Sequence, residues 1–574
     1  MTRSGAQHLI DALKAEKVDI LFGFPGGVVI PVFDALHDEP TIRLVLTRHE
    51  QGAVHAADGY ARSTGRVGVC LVTSGPGATN TVTGMATANF DSVPLVVLTG
   101  QVTRNMIGND AFQEADIVGI SRSVTKHNYL VTDRRDLGRI IREAFYIARS
   151  GRPGPVLVDM PKDVLVEQSD DPLPQSVSIR GYRPVTRGEP DQIRKAASAL
   201  AGARKPLFYL GGGLHIADAA DAFRKAQELV DVPVVSSLMG IGILASDHPR
   251  YLGMVGMHGT FAANTAVQNC DLLFALGTRF DDRATGDISQ FAPHASVVQV
   301  DIDPSSISRN VAVQVPIVGD VRLVLEDLLP HLKRPDHGAW LAETDGWMKS
   351  RPLAEIGGNG RLSPTRVIRA IAEMFPEAIV STEVGQNQMW TALYYRFTRP
   401  RSLLTSGGLG TMGYGFPAAI GAQIGNPDRR VIDIAGDGSI QMNIQELATA
   451  VSERLPVIVA ILNNGYLGMV RQWQEVFYQR RYYGVCLERN ESCPPDCAEP
   501  HQHCPPYSPD FVRLAQAYGA VGLRVSRPEE IEPALRETRS VTHRPVFLDF
   551  QIDREANVWP MVPAGAGIHE MMNA

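Results

Sequence analysis

Ile434-Ala435-Gly436-Asp437-Gly438-Ser439 and Ile461-Leu462-Asn463-Asn464-Gly465 each end an apolar run in a glycine-bearing turn. Both read as loops at the C-terminal ends of buried strands, where open α/β sheets bind ligands. Asp437 and Asn464 lie 27 positions apart, the length of a strand–helix–strand excursion, so neighbouring loops bring both oxygens to one ion. An anionic and an amide oxygen suit Mg²⁺, which takes a few protein oxygens and leaves positions for phosphate. Gly-Asp-Gly alone is only a turn. With Asn-Asn at this spacing it points to a metal–diphosphate clamp in a parallel α/β fold.

Around this clamp the chain runs to 574 residues, too many for one core, and about three or four domains are expected. A formal charge of −7 gives no support for a nucleic-acid or polybasic membrane surface. No apolar run is long enough to span a membrane. The start, helix-like Gly5–Glu16 and strand-like Ile20–Phe24, carries no signal or transit pattern, so a cytoplasmic location is the expectation.

Buried parallel strands are predicted at Asp19–Phe24, Arg43–Leu46, Gly68–Thr73, Leu95–Thr99 and Pro155–Asp159. A second set falls at Pro206–Leu210, Pro233–Ser236, Asp271–Leu276 and Ser296–Asp301, and a third at Ala378–Ser381, Val431–Ala435, Val457–Leu462 and Pro545–Ile552. Pro-rich Glu167–Pro190 and weakly patterned His337–Pro364 read as boundaries. The reading is three doubly wound parallel-sheet domains over residues 1–170, 190–335 and 363–555, an insertion at 485–509 and a tail at 556–574. The first and third runs share a similar rhythm.

Three further stretches carry candidate chemistry. Glu50, in Thr47-Arg48-His49-Glu50-Gln51, stands between a strand end and a helix start. That is the ligand edge of a sheet, and also a favourable place for any acid near a helix N-terminus. Thr73-Ser74-Gly75-Pro76-Gly77 lacks the Lys-Ser/Thr of a P-loop, and fits either a phosphate cradle or close packing against a flat cofactor. Leu210-Gly211-Gly212-Gly213 and Asp301-Ile302-Asp303 suit nucleotide binding or simple turn chemistry without matching the dinucleotide fingerprint.

Together these stretches resemble a thiamine diphosphate enzyme, and more narrowly the acetohydroxyacid (acetolactate) synthase large subunits, from about Gly5 to Val562. The resemblance is carried by Gly23-Phe24-Pro25-Gly26-Gly27, Arg48–Gln51, Asp110-Ala111-Phe112-Gln113-Glu114, Pro161-Lys162-Asp163, Gly256-Met257-His258-Gly259, Arg279-Phe280-Asp281-Asp282-Arg283, Gly407–Gly415 and Asn463–Trp473. It implies decarboxylation of pyruvate and ligation of the remaining unit to a second 2-ketoacid, pyruvate or 2-ketobutyrate. This is the first common step of branched-chain amino-acid biosynthesis.

The resemblance also assigns roles. Glu50 bonds the cofactor's aminopyrimidine, and it comes from another subunit than the diphosphate anchor, so a homodimer or homotetramer is implied. Asp437, Asn464 and the Tyr466 carbonyl hold Mg²⁺. Val384-Gly385-Gln386-Asn387, Gly438 and Ser439 contact the diphosphate, and Gly410 and Met412 keep the cofactor bent. Asn387 stands where relatives often carry His, and as an amide it can still donate to phosphate. Arg283 binds the acceptor carboxylate, a task that favours Arg over Lys. Phe112, Met257 and Trp473 form an apolar wall, with Trp473 favouring 2-ketobutyrate, while Gln113 and Lys162 line the channel. Arg152, Gly212, His258, Gly259, Arg279, Asp301, Asp303 and Asp320 fall in segments that bind FAD. A separate small regulatory subunit is implied as well. Taken singly, the apolar residues suit core packing and Arg283 suits a salt bridge with Asp281 or Asp282.

One departure stands out. Four Cys and two His fall within Cys486–Cys504, where relatives run almost directly into the next helix. A structural loop, a tetrahedral Zn²⁺ site or a redox switch would each use such residues, though the spacing matches no standard zinc module. Competing readings of the whole chain are a simple 2-ketoacid decarboxylase, a flavin-dependent pyruvate oxidase, and an inactive cofactor-binding subunit. Glu50, Asp437 and Asn464 speak against the last.

Overall fold

The computed structural model describes residues 2–334, 336–358, 361–488, 493 and 509–573. Each of the three α/β runs forms a six-stranded sheet whose neighbouring strands are all parallel. The N-terminal sheet comprises Ile20–Phe24, Arg43–Leu46, Gly68–Val72, Leu95–Gln101, His127–Leu130 and Pro155–Pro161. Counted along the chain, its strands lie in the order 2-1-3-4-6-5. The C-terminal sheet, of Ile379–Thr382, Leu403–Leu404, Val431–Gly436, Ile458–Asn463, Val521–Val525 and Val546–Gln551, repeats that order. The middle sheet differs. Its strands Pro206–Leu210, Val234–Ser236, Tyr251–Met254, Leu272–Leu276, Ser296–Asp301 and Val315–Val318 run 3-2-1-4-5-6, the order of dinucleotide-binding domains.

The central strands were legible because both of their faces are buried, which makes them continuous apolar runs. Within these three sheets five strands escaped the sequence reading: His127–Leu130, Tyr251–Met254, Val315–Val318, Leu403–Leu404 and Val521–Val525. All five are edge strands. Most are half-exposed, and a half-solvated edge carries no continuous apolar signal. The stretch read as a boundary at His337–Pro364 contains a helix, Gly338–Ser350. Its Trp340 is buried and donates to the Pro206 carbonyl at 2.9 Å, and Trp347 packs edge-on against it, so this helix belongs with the middle domain.

The first and third domains share one continuous core. Helix Glu50–Thr64 lies against helix Gly415–Gly425 so closely that a Cβ on Gly59 would stand 2.1 Å from the Ala418 carbonyl oxygen. A Cβ on Gly421 would stand 1.8 Å from that of Ala56. Only glycine permits this approach. A buried cluster pins the contact: Arg62 pairs with Asp58 at 2.6 Å and Asp91 at 2.9 Å, and the Tyr414 hydroxyl donates to Asp58 at 2.7 Å. Removing one member of such a cluster strands a buried charge. Beyond Val558 the C-terminal tail folds back over the middle domain, where Val562 N–H donates to the Met257 carbonyl and Asn264 Nδ2 to that of Ile568.

Candidate active site

Ligands of open α/β sheets sit where the strand order reverses. In the C-terminal sheet that point lies between Ile379–Thr382 and Val431–Gly436, and the loops leaving it are Glu383-Val384-Gly385 and Asp437-Gly438-Ser439. Asn464 leaves the adjacent strand Ile458–Asn463. These loops line a cavity of about 90 Å³ together with Gln386, Asn387, Met412 and Tyr466. Asp437 is 1% exposed, accepts from Gly465 N–H at 3.0 Å, and is pushed up to about 7 by burial. No cationic side chain pairs with it among the described residues. A carboxylate buried without a cation fits a site that takes one from solution. Asn464 Oδ1 accepts from Tyr466 N–H at 3.0 Å and keeps a second lone pair.

Asn387 departs from expectation. Its Nδ2 donates to the carbonyls of Glu383 at 2.9 Å and Ile434 at 2.8 Å, so both amide hydrogens are spent on the backbone. It stitches two strand ends together and has no side-chain N–H left for a phosphate. Ser439 likewise spends its hydroxyl on the Gly436 carbonyl at 3.2 Å.

Met412 stands where this small cavity meets a larger one of about 790 Å³; both are lined by Val384, Gly385, Met412, Met469 and Val470. Its turn is held rigidly. Gly413 N–H donates to Glu383 Oε2 at 2.6 Å, Asn443 Nδ2 to the Gly413 carbonyl at 2.6 Å, and Thr411 Oγ1 meets Thr87 Oγ1 at 2.7 Å. Gly410 and Gly413 have φ of +72° and +84°, a region glycine enters without strain. Met257, Arg283 and Trp473 line the near end of the large cavity. The Arg283 guanidinium lies 5.8 Å from the Trp473 ring centre and 3.8 Å from Asp282 Oδ2, and its side chain is 57% exposed, so it is free to turn toward a carboxylate.

The far end reaches the switch point of the middle sheet, between Pro206–Leu210 and Leu272–Leu276. Gly212, His258, Arg279, Asp301, Asp320 and Arg152 line it. A Cβ on Gly211 would meet the Gly277 carbonyl oxygen at 2.0 Å, which keeps this strand end flat. Asp301 is pushed up to about 6 by burial, and buried His258, at 3.0 Å from the Pro560 carbonyl, down to about 4. Two expected residues do not line it. Asp303 instead holds Arg152, 3.3 Å away. Gly259 packs beneath Asn264, where a Cβ would come within 2.4 Å of Oδ1. The volume, glycine-flattened strand end, acid and arginines fit a dinucleotide such as FAD.

The first-domain residues are elsewhere in the chain. Glu50, Phe112, Gln113 and Lys162 line neither cavity. Glu50 opens helix Glu50–Thr64 and accepts from Asn80 Nδ2 at 3.0 Å, beside Gly77. Gln113, with φ of +58°, packs beneath Gly75, while Phe112 is 88% exposed and Lys162 is exposed. Most of the Cys486–Cys504 insertion lies outside the described residues. Among the described ones, Cys486 is a free thiol, and no three His, Cys, Asp or Glu cluster as a metal site. No described helix is long and apolar enough to cross a membrane.

Three family models match: the N-terminal thiamine pyrophosphate-binding domain over residues 3–120, the central domain of thiamine pyrophosphate enzymes over 193–328, and their C-terminal binding domain over 383–550. The chain is 49% identical to an acetolactate synthase large subunit of Mycobacterium tuberculosis, covering 100% of this chain and 91% of that protein. It is 46% identical to the isozyme 3 large subunit of Escherichia coli, with 99% and 98% covered. A Corynebacterium glutamicum large subunit is 47% identical, with 100% and 90% covered. With the switch-point loops and the paired cavities, these likenesses place the chain in the thiamine pyrophosphate enzyme family, among the acetolactate synthase large subunits.

Proposed function

We propose that this acetolactate synthase divides its work between the two cavities. Asp437, Asn464 and the Tyr466 carbonyl would hold Mg²⁺ at the diphosphate end of thiamine diphosphate, and Met412 and Gly410 would seat the middle of the cofactor. When bound, the cofactor supplies a nucleophilic carbon and an electron sink for decarboxylation of a 2-ketoacid. Glu50 of a second copy holds and moves the proton at the cofactor's aminopyrimidine, a task suited to a buried carboxyl. Arg283 binds the carboxylate of the acceptor, pyruvate or 2-ketobutyrate, and Met257 and Trp473 exclude water around its alkyl group. Gln113, Lys162 and Phe112 complete the channel from the second copy. Arg152, Gly212, Arg279, Asp301 and Asp320 would hold FAD at the far end of the large cavity, with no net redox role. The enzyme works as a homodimer or higher homo-oligomer in the cytoplasm, with a separate small regulatory subunit.

The observation that carries this reading is that the cavity lined by buried Asp437 and the cavity lined by Arg283 and Trp473 share Met412 in their walls. Incubation with pyruvate, with and without 2-ketobutyrate, is the test. Acetolactate and its 2-aceto-2-hydroxybutyrate homologue should form with no electron acceptor consumed. Acetaldehyde as the main product would instead identify a decarboxylase, and dependence on an oxidant an oxidase.

A further inference from the structure

Gln386, which lines the anchor cavity, and Gln472 form a buried pair whose side-chain amides have no part in the scheme above. Both are almost wholly inaccessible, at 4% and 0%. Gln386 Oε1 accepts from Asn464 Nδ2 at 3.3 Å, and Gln386 Nε2 donates to Gln472 Oε1 and to the Ala556 carbonyl, each at 3.0 Å. Gln472 then clasps one residue of the C-terminal tail from both sides: its Oε1 accepts from Val558 N–H at 2.8 Å and its Nε2 donates to the Val558 carbonyl at 3.0 Å. Gly468, at the start of helix Gly468–Phe477, has no side chain because one would stand 2.1 Å from Gln386 Oε1. Beyond Val558 the tail runs onto the middle domain. The Pro560 carbonyl meets His258, Val562 N–H donates to the Met257 carbonyl, and Gly567 bridges Gly286.

We propose that Gln386 and Gln472 are positioning residues that relay occupancy of the metal–diphosphate anchor to the acceptor wall. The relay starts at Asn464 and passes through both amides to Val558. It ends on the tail, which is fastened to Met257 and, at Gly286, to the turn after Arg283. Gln472 also adjoins Trp473 on its helix, so the same side chain fixes the two walls of the acceptor pocket relative to each other. A ligand taken up by Asn464 Oδ1 fixes the orientation of that amide, hence which way Nδ2 points, and each amide downstream must follow, because an amide turned over would set oxygen against oxygen and N–H against N–H. The inference rests on the anchor reading given above.

Hydrogen exchange on the full-length protein, with and without thiamine diphosphate plus Mg²⁺, tests it, alongside calorimetry of cofactor binding. In the unaltered chain, cofactor should slow exchange across 556–573 by about tenfold or more. In Gln472→Leu, calorimetry should still register binding while the tail stays at its unliganded rate, and the acceptor KM should rise more than kcat falls. Gln472→Glu, which keeps an acceptor for Val558 N–H, should recover part of the protection, a graded response that loss of packing alone does not produce; it also serves if the Leu variant fails to fold. Equal tail protection in all three proteins, or cofactor binding with no change in the tail, would overturn the relay. Absence of any Mg²⁺-dependent cofactor binding to the unaltered chain would overturn the anchor reading itself.

Discussion

The N-terminal and C-terminal sheets share one strand order, 2-1-3-4-6-5, yet their switch points do different things. In the C-terminal sheet the loops present buried Asp437, Asn464 and a glycine-flanked opening that suits an ion and phosphate. In the N-terminal sheet the corresponding end offers Pro25-Gly26-Gly27 and Thr73-Ser74-Gly75, with Glu50 as the nearby acid. The fold supplies two equivalent platforms, and in the proposed division of labour a handful of loop residues makes one the anchor and the other the activator. The middle sheet, with its 3-2-1-4-5-6 order, serves as a third platform suited to a dinucleotide.

That division can be broken one side at a time. Glu50→Gln keeps the shape of the N-terminal platform but removes the acid. Turnover should fall by about 10²–10⁴-fold with thiamine diphosphate binding retained, as read by steady-state kinetics beside calorimetry. Asp437→Asn does the reverse, weakening Mg²⁺-dependent cofactor binding by about 10- to 100-fold as a charged contact is lost. If both variants lost binding alike, the anchoring and activating roles would not be separate. Trp473→Leu touches neither platform. It should shift the ratio of 2-ketobutyrate to pyruvate products by about 1–3 kcal/mol in free-energy terms, measured in direct competition.

The smallest effect concerns stability. His258 is held neutral by burial, with its pKa pushed down to about 4 from 6.5. Between those values the unfolded chain takes up a proton that the folded one does not, so stability is lost as pH falls through that window. The melting temperature should therefore drop from pH 6.5 toward pH 4, and less steeply in His258→Gln.

Much of this is legible in the sequence itself. Buried central strands announce themselves as apolar runs, and Asp437 and Asn464 fall at or just past the ends of two of them. Edge strands such as Val315–Val318 did not, because half of each is wet. Helix Gly338–Ser350 was missed because only a few of its residues, Trp340 foremost, touch the core. The contacts of Gln472 and Glu383 carry no signal either. Their partners stand 86 and 30 positions away, and no local spacing encodes a contact made only after the sheets assemble. The insertion after Cys486 stays a reading of sequence.

The central claim, that activating and anchoring platforms meet across two copies, is tested most directly by mixing two inactive variants, Glu50→Gln and Asp437→Asn, and allowing their subunits to exchange. If each site takes Glu50 from one chain and Asp437 from the other, random pairing leaves one intact site in half of the dimers, and about a quarter of wild-type activity should return. If the mixture stays as inactive as its parts after exchange is verified, both residues act within one chain and the account is contradicted.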